Sequence, residues 1–425
     1  MSRKLPDITP PELKMRADDI TVTQTRVYRL ITPLFGGGVT PAEADPITVI
    51  RGSSIRGHLR FWWRACRGGK PEFQGSLARM KAAEDAIWGT ASTEGGAGPS
   101  KVQIAVQINN SGVEERPFEV RGGRWGRPEV KLRSDTNVPG YAAFPLQPKK
   151  EEARVGMTTK AVRVGVSFTL TISFPRDFRE DVEAALWAWE TFGGVGARTR
   201  RGFGALQLVS VDNEERQPPP AKRAQEVIIR NFRRHVARGF DIPGVPQLLQ
   251  HLVVTEKVFG DAQAAWHFLI EKLQEFRQER YDSKYGLSKW PEANSVRQFA
   301  NRNPRGKSPR VLKFPRAYFG LPIIFHFRHD RDLRDATLKG ISTERLASPL
   351  ILRPLLCRGD RAVGLAVVLS VERLPPGSLW LDGKDRGLPR KVDADLTSEE
   401  AQRIEPLNGE TDVLLAFLNT LLGER

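Results

Sequence analysis

Residues 181–211 read DVEAALWAWETFGGVGARTRRGFGALQLVSV, and three successive patterns in this stretch decide the fold. From 181 to 192 the apolar side chains recur at helical spacing, Asp177 lies near the start and Gly193 follows the end, which predicts a helix. Residues 193–204 are rich in glycine and carry Arg198, Arg200 and Arg201, which predicts a loop with backbone freedom and charge. Residues 205–211 read as a strand.

Working upstream, 162–174 and 101–108 read as strands, 54–66 as a helix with Ser53 or Ser54 as N-cap, and 21–34 as a strand rich in β-branched residues. The order is β-α-β-β-α-β, that of a ferredoxin-like fold, with 91–152 taken as an insertion. Working downstream, 212–223 (DNEERQPPPAKR) is polar with three consecutive prolines and reads as an extended linker that cannot join a sheet. The boundary placed there gives domains 1–212 and 213–425. In the second, 221–236, 262–280 and 414–422 read as helices and 321–327, 350–356 and 363–371 as strands. The fold class expected is α+β: two tandem ferredoxin-like (RRM-like) domains, the second degenerate with a helical insertion.

The chain carries 66 Lys and Arg against 50 Asp and Glu, a net charge of +16. That excess suits nucleic acid, acidic protein partners or a membrane surface. The charge is segregated. Residues 51–70 hold Arg51, Arg56, Arg60, Arg64, Arg67 and Lys70 with no acid, and 297–316 hold Arg302, Arg305, Lys307, Arg310 and Lys313 among others, again with no acid. Residues 121–133 are nearly as basic, and the end of the chain is acidic. Phe299, Phe314 and Tyr318 interleave the second run, a pattern that suits stacking on single-stranded nucleic acid or a disordered basic loop. Two distant cysteines, Cys66 and Cys357, make neither a zinc site nor a disulfide framework. No apolar run spans a bilayer and residues 1–14 lack the apolar core of a signal peptide, so a cytoplasmic protein is expected.

On a helical wheel Ile55, Leu59, Trp62 and Cys66 form a core face over 54–66, Arg56, Arg60, Arg64 and Arg67 form a stripe on the other side, and Trp63 sits at the border. A solvated surface helix normally interleaves Glu at i,i+4 among its arginines, and a phosphate backbone offers the same compensation. The loop 193–204 contains no GxxxxGK[ST] and lies between a helix and a last strand, so it is neither a P-loop nor a dinucleotide fingerprint. Gly194 and Gly196 would let backbone N–H groups approach a ligand, with Thr199 and the three arginines beside them.

A glycine-rich, arginine-bearing loop between the second helix and last strand of a ferredoxin-like domain resembles the hallmark of the RAMP superfamily of CRISPR RNA-binding proteins. The runs Ile31–Gly38 and Ile50–Arg64, with Phe319–Ile323 and Arg345–Leu350, are similar to the subunit-one family of type III-B (Cmr) effector complexes. The likeness is scattered along nearly the whole chain and leaves 91–152 and 241–310 uncovered. It implies two ferredoxin-like domains and a subunit near the 3′ end of a guide RNA, beside other RAMP subunits, in a complex that captures complementary single-stranded RNA in antiviral defence. It also implies that catalysis belongs to other chains; separately, no metal and no cofactor are expected. The RNA-binding residues expected are Arg51, Ser53, Ser54, Arg56, Arg60, Trp63, Arg64, Gly194, Gly196, Arg198, Thr199, Arg200, Arg201, Arg310 and Lys313.

Two alternatives stand beside this reading. As an endoribonuclease, the chain would use His58 as a metal-independent general base or Asp45, in the loop after the first strand, as a metal-dependent carboxylate. Against these, His58 lies away from the arginine stripe, and the loop acid suits capping or pairing with Arg51. As an interaction scaffold, its basic faces would meet acidic protein partners.

Overall fold

The computed structural model describes residues 21–90, 98–122, 128–148, 150–154, 159–282, 287–303, 309–327 and 333–423. Arg305 and Lys307, part of 91–152 and the first twenty residues lie outside them. In the first half the main elements are β1 (Thr21–Leu30), α1 (Gly52–Arg67), α2 (Leu77–Trp88), β2 (Gln103–Asn110), β3 (Ser167–Pro175), α3 (Arg179–Phe192) and β4 (Leu206–Val211). The antiparallel sheet runs β2-β3-β1-β4, and α1 and α3 pack on it. Alternation in β3 puts Phe168, Leu170, Ile172 and Phe174, all 0% exposed, against these helices and leaves Ser and Thr on the other face.

Several local expectations are corrected. Helix α1 begins at Gly52, and its N-cap is Arg51 with no side-chain capping bond, so Ser53 and Ser54 do not cap it. The strand expected over 162–174 is broken: Val162–Val164 pairs with Val113–Glu115 in the insertion, and Gly165 turns the chain before β3. Helix α2 is not among the expected elements, since its alanines spread apolar character around the helix instead of along one face. The segment 212–223 does join a sheet, because Glu214–Glu215 pairs with Ser210 and Val211. Its prolines are pinned as well, since Arg358 donates to the carbonyls of Pro218 and Pro219.

The second half contains α4 (Ala224–His235), β5 (Gln247–Val254), α5 (Ala262–Gln278), β6 (Leu350–Leu356), β7 (Ala362–Ser370) and α6 (Val413–Leu422). One antiparallel sheet runs β5-β7-β6. A separate four-stranded sheet, Ile323–Phe325, Ala336–Gly340, Leu379–Gly383 and Arg390–Val392, lies around the helix Glu292–Phe299 and has its own small core. The two larger cores straddle the halves. Ile351, Val363, Val367 and Leu369 pack in one cluster with Leu59, Trp62 and Leu186, and Phe35 and Phe203 pack with Trp266 and Leu352 in the other.

Candidate nucleic-acid interface

The arginine stripe of α1 is compensated, contrary to the expectation from its sequence. Arg60 Nε donates to Glu84 Oε1 at 2.7 Å, and Arg64 Nη1 reaches the same oxygen at 2.5 Å. Glu84 lies on α2 and is 1% exposed, and Asp85 stands 3.7 Å from Arg60. Arg67 and Lys70 pair with Asp181 of α3, and Arg56 reaches the carbonyl of Val102. The i,i+4 acids missing from α1 are thus supplied by its neighbours. Trp63 does not stack on a ligand: it is 0% exposed and its indole N–H donates to Asp181 at 2.9 Å.

The glycine-rich loop meets the opposite flank of α1, where His58, Phe61 and Trp62 border a cleft of about 180 Å³ with Gly194, Thr199, Arg200 and Ile351. Arg200 lies 5.8 Å from the centre of the Phe61 ring. Burial pushes the His58 imidazole down to about 4, so it is neutral at pH 7.

Within the loop the glycines permit close backbone packing. Gly196, at φ +81, faces the Phe35 carbonyl so closely that a Cβ would lie 2.6 Å from it; at Gly204, φ +59, a Cβ would lie 2.0 Å from Val195 O. The N–H groups of Val195, Ala197, Arg201, Gly202 and Gly204 donate to protein carbonyls. Gly194 is buried, and its carbonyl accepts the Trp189 indole N–H. Both ends of the loop are fastened by Arg353 of β6, which is 0% exposed. Its Nη1 donates to the carbonyls of Glu190 and Gly193, and its Nη2 to that of Leu206, each at 2.8 Å. Burial lowers its pKa to about 9.

What this scaffold presents is cationic. Arg198, Arg200 and Arg201 have no carboxylate partner among the described residues: Arg200 donates to Ser348 O and Arg201 to Leu350 O, and the Arg198 guanidinium lies 5.2 Å from the Phe144 ring centre. Arg277 at the end of α5 joins them, with its Nη1 donating to the Tyr141 hydroxyl at 2.9 Å. The Nε atoms of Arg51, Arg198 and Arg277 are buried and unpartnered. Burial, then Arg277 and Arg198, push the Arg201 guanidinium down to about 9, the signature of positive charge gathered without a counter-ion. Arg51 holds the carbonyl of Gly37, whose loop packs on Gly196, so this residue of the α1 start does reach the glycine-rich loop. Sequence reasoning missed Arg277, Tyr141, Phe144 and Arg353; Arg353 alone left a signal, as the one charge inside the apolar run LILRPLL.

The remaining site residues are dispersed. Ser53 is exposed, and Ser54 half-buried. Arg310 is exposed and Lys313 pairs with Asp393 in the second half. Phe314 is 0% exposed, and Arg390 covers Phe299 at 4.0 Å, so the aromatics of that basic run pack internally. The Asp45 carboxylate accepts the N–H groups of Ile47 and Thr48 at 3.0 and 2.7 Å, an arrangement that holds its pKa below the usual range. Among the described residues no three His, Cys, Asp or Glu side chains gather in a metal-binding arrangement, and no helix is long and apolar enough to cross a membrane.

Residues 27–207 match the model of the RAMP superfamily. Two curated relatives come from Pyrococcus furiosus. The CRISPR system Cmr subunit Cmr1-2 is 26% identical over 185 residues, 42% of this chain and 90% of the relative. Cmr1-1 is 24% identical over 303 residues, 68% of this chain and 74% of the relative. Among solved structures, a chain of the type III-B Cmr-beta complex bound to cognate target RNA aligns with a TM-score of 0.49 at 11% identity, over 93% of this chain and 99% of that chain.

Proposed function

From the match of residues 27–207 to the RAMP superfamily model, we propose that this chain is a non-catalytic RNA-binding subunit of a type III-B (Cmr) CRISPR effector complex. In this reading it sits near the 3′ end of the guide RNA, contacts other RAMP subunits and takes part in capturing target RNA. Its curated relatives, both Cmr subunits, support the assignment to such a complex. The β-α-β-β-α-β order of the first half and the β5-β7-β6 order of the second, three-stranded among the described residues, support a tandem of ferredoxin-like units.

The observation that carries RNA binding is the gathering of Arg198, Arg200 and Arg201, which have no carboxylate partner among the described residues, beside Arg277, on which the acid Glu292 acts electrostatically. Guanidinium groups held together in this way repel one another, and a phosphate backbone relieves that repulsion. The ribonuclease alternative has less support, because the Asp45 carboxylate is engaged by its own turn and His58 has no acid partner in the cleft it lines.

The test is filter binding of the full chain to labelled single-stranded RNA across a salt series. Log affinity should fall with log salt at a slope of roughly 0.7 per phosphate contacted. The Arg198→Gln/Arg200→Gln/Arg277→Gln variant should lower that slope by roughly 2. An unchanged slope and affinity would overturn the assignment. Cleavage of the RNA, with or without Mg²⁺, that is lost in Asp45→Ala or His58→Ala would make the chain a nuclease.

A further inference from the structure

Part of the insertion 91–152 is built into the cationic site. Val138, Ala142, Ala143 and Leu146 are buried in the core that also holds Ala262, Ala265 and Trp266 of α5, and His267 of that helix bonds to the Asn137 carbonyl at 3.0 Å. The segment is therefore anchored rather than trailing. Among residues 137–146, the large apolar side chain left outside is Phe144, 59% exposed. A single exposed phenylalanine is ordinary on a protein surface. This one is not isolated, because the guanidinium of Arg198, whose backbone is in the left-handed region at φ 56, lies over its ring. One turn back, Tyr141 receives the Arg277 hydrogen bond and is an electrostatic neighbour of both Arg198 and Arg201.

We infer that Phe144 and Tyr141, with Arg198, Arg201 and Arg277, form a subsite for one unpaired nucleotide of an RNA strand: its base stacks on the outer face of Phe144 and its phosphate lies among the guanidinium groups around Tyr141. The inference rests on the RNA-binding reading above and adds to it a base-stacking element from the insertion. An aromatic face reads no base edge, so the subsite accepts any base.

The test uses the full chain and a twelve-residue oligouridine, with fluorescence anisotropy as the readout. Phe144→Ala should weaken binding about tenfold, within the range of base–aromatic stacking, and leave the salt slope unchanged. Phe144→Tyr should keep wild-type affinity. On an abasic oligomer of the same length the wild type should bind about tenfold more weakly than on oligouridine, and Phe144→Ala should have no further effect. Phe144→Ala binding oligouridine within twofold of wild type would overturn the subsite while leaving the RNA-binding proposal standing. So would an equal loss on the abasic oligomer. A wild-type chain that binds neither oligomer at low salt would remove the RNA-binding proposal and this one together.

Discussion

Arg60 and Arg64 share the carboxylate of Glu84, a side chain almost wholly removed from water. Reversing either charge would place two acids at one buried point and strip Glu84 of a partner. The Arg60→Glu/Arg64→Glu chain is expected to lose about 3 kcal/mol or more of stability, measured by urea denaturation. Stability within 1 kcal/mol of wild type would mean that the pairing contributes little. Any loss of RNA binding in that variant is therefore no evidence that the stripe touches RNA. The composition of 51–70 disclosed the positive charge but not its partners, because Glu84 and Asp181 come from segments 20 and more residues away. Sequence spacing reveals only neighbours on the same element, so the arginine face of α1 reads as open to RNA, whereas Glu84 of α2 pairs with Arg60 and Arg64 there.

At the scale of elements, the glycine-rich loop could be read directly. A helix ending at Gly193 and a strand near Ala205 follow from spacing and from glycine, and the structure has both. What could not be read is why the loop holds its shape. That depends on Arg353, contributed by a strand 150 or so residues further on. A buried guanidinium that satisfies three carbonyls at 2.8 Å fixes where the helix stops and where the strand begins. Removing it leaves those carbonyls without a donor, at about 1–3 kcal/mol for each buried group. Arg353→Met should accordingly destabilise the chain by about 3 kcal/mol. Hydrogen exchange should speed up at Val195, Ala197 and Arg201 ahead of the strands of the first sheet. Uniform acceleration across that sheet would show a general structural loss rather than a local one.

Over the whole molecule, the net charge pointed to a polyanion, and the clustering near residue 200 agrees with it. Among the described residues of the other runs, Arg121, Arg133, Lys313 and Arg316 are held in salt bridges and Arg297 lies over the Phe327 ring, which no charge count distinguishes from a free surface. The prolines at 218–220 read as an extended linker between two domains. Their composition is right for an extended segment, but apolar faces far apart in the chain meet across it. Calorimetry gives that shared interior a consequence. If the interior is continuous, heating should produce one main endotherm whose van't Hoff enthalpy approaches the integrated heat, with at most an early shoulder from the small sheet around residues 323–392. Two well-separated peaks of similar area would mean that each half melts as its own cooperative unit.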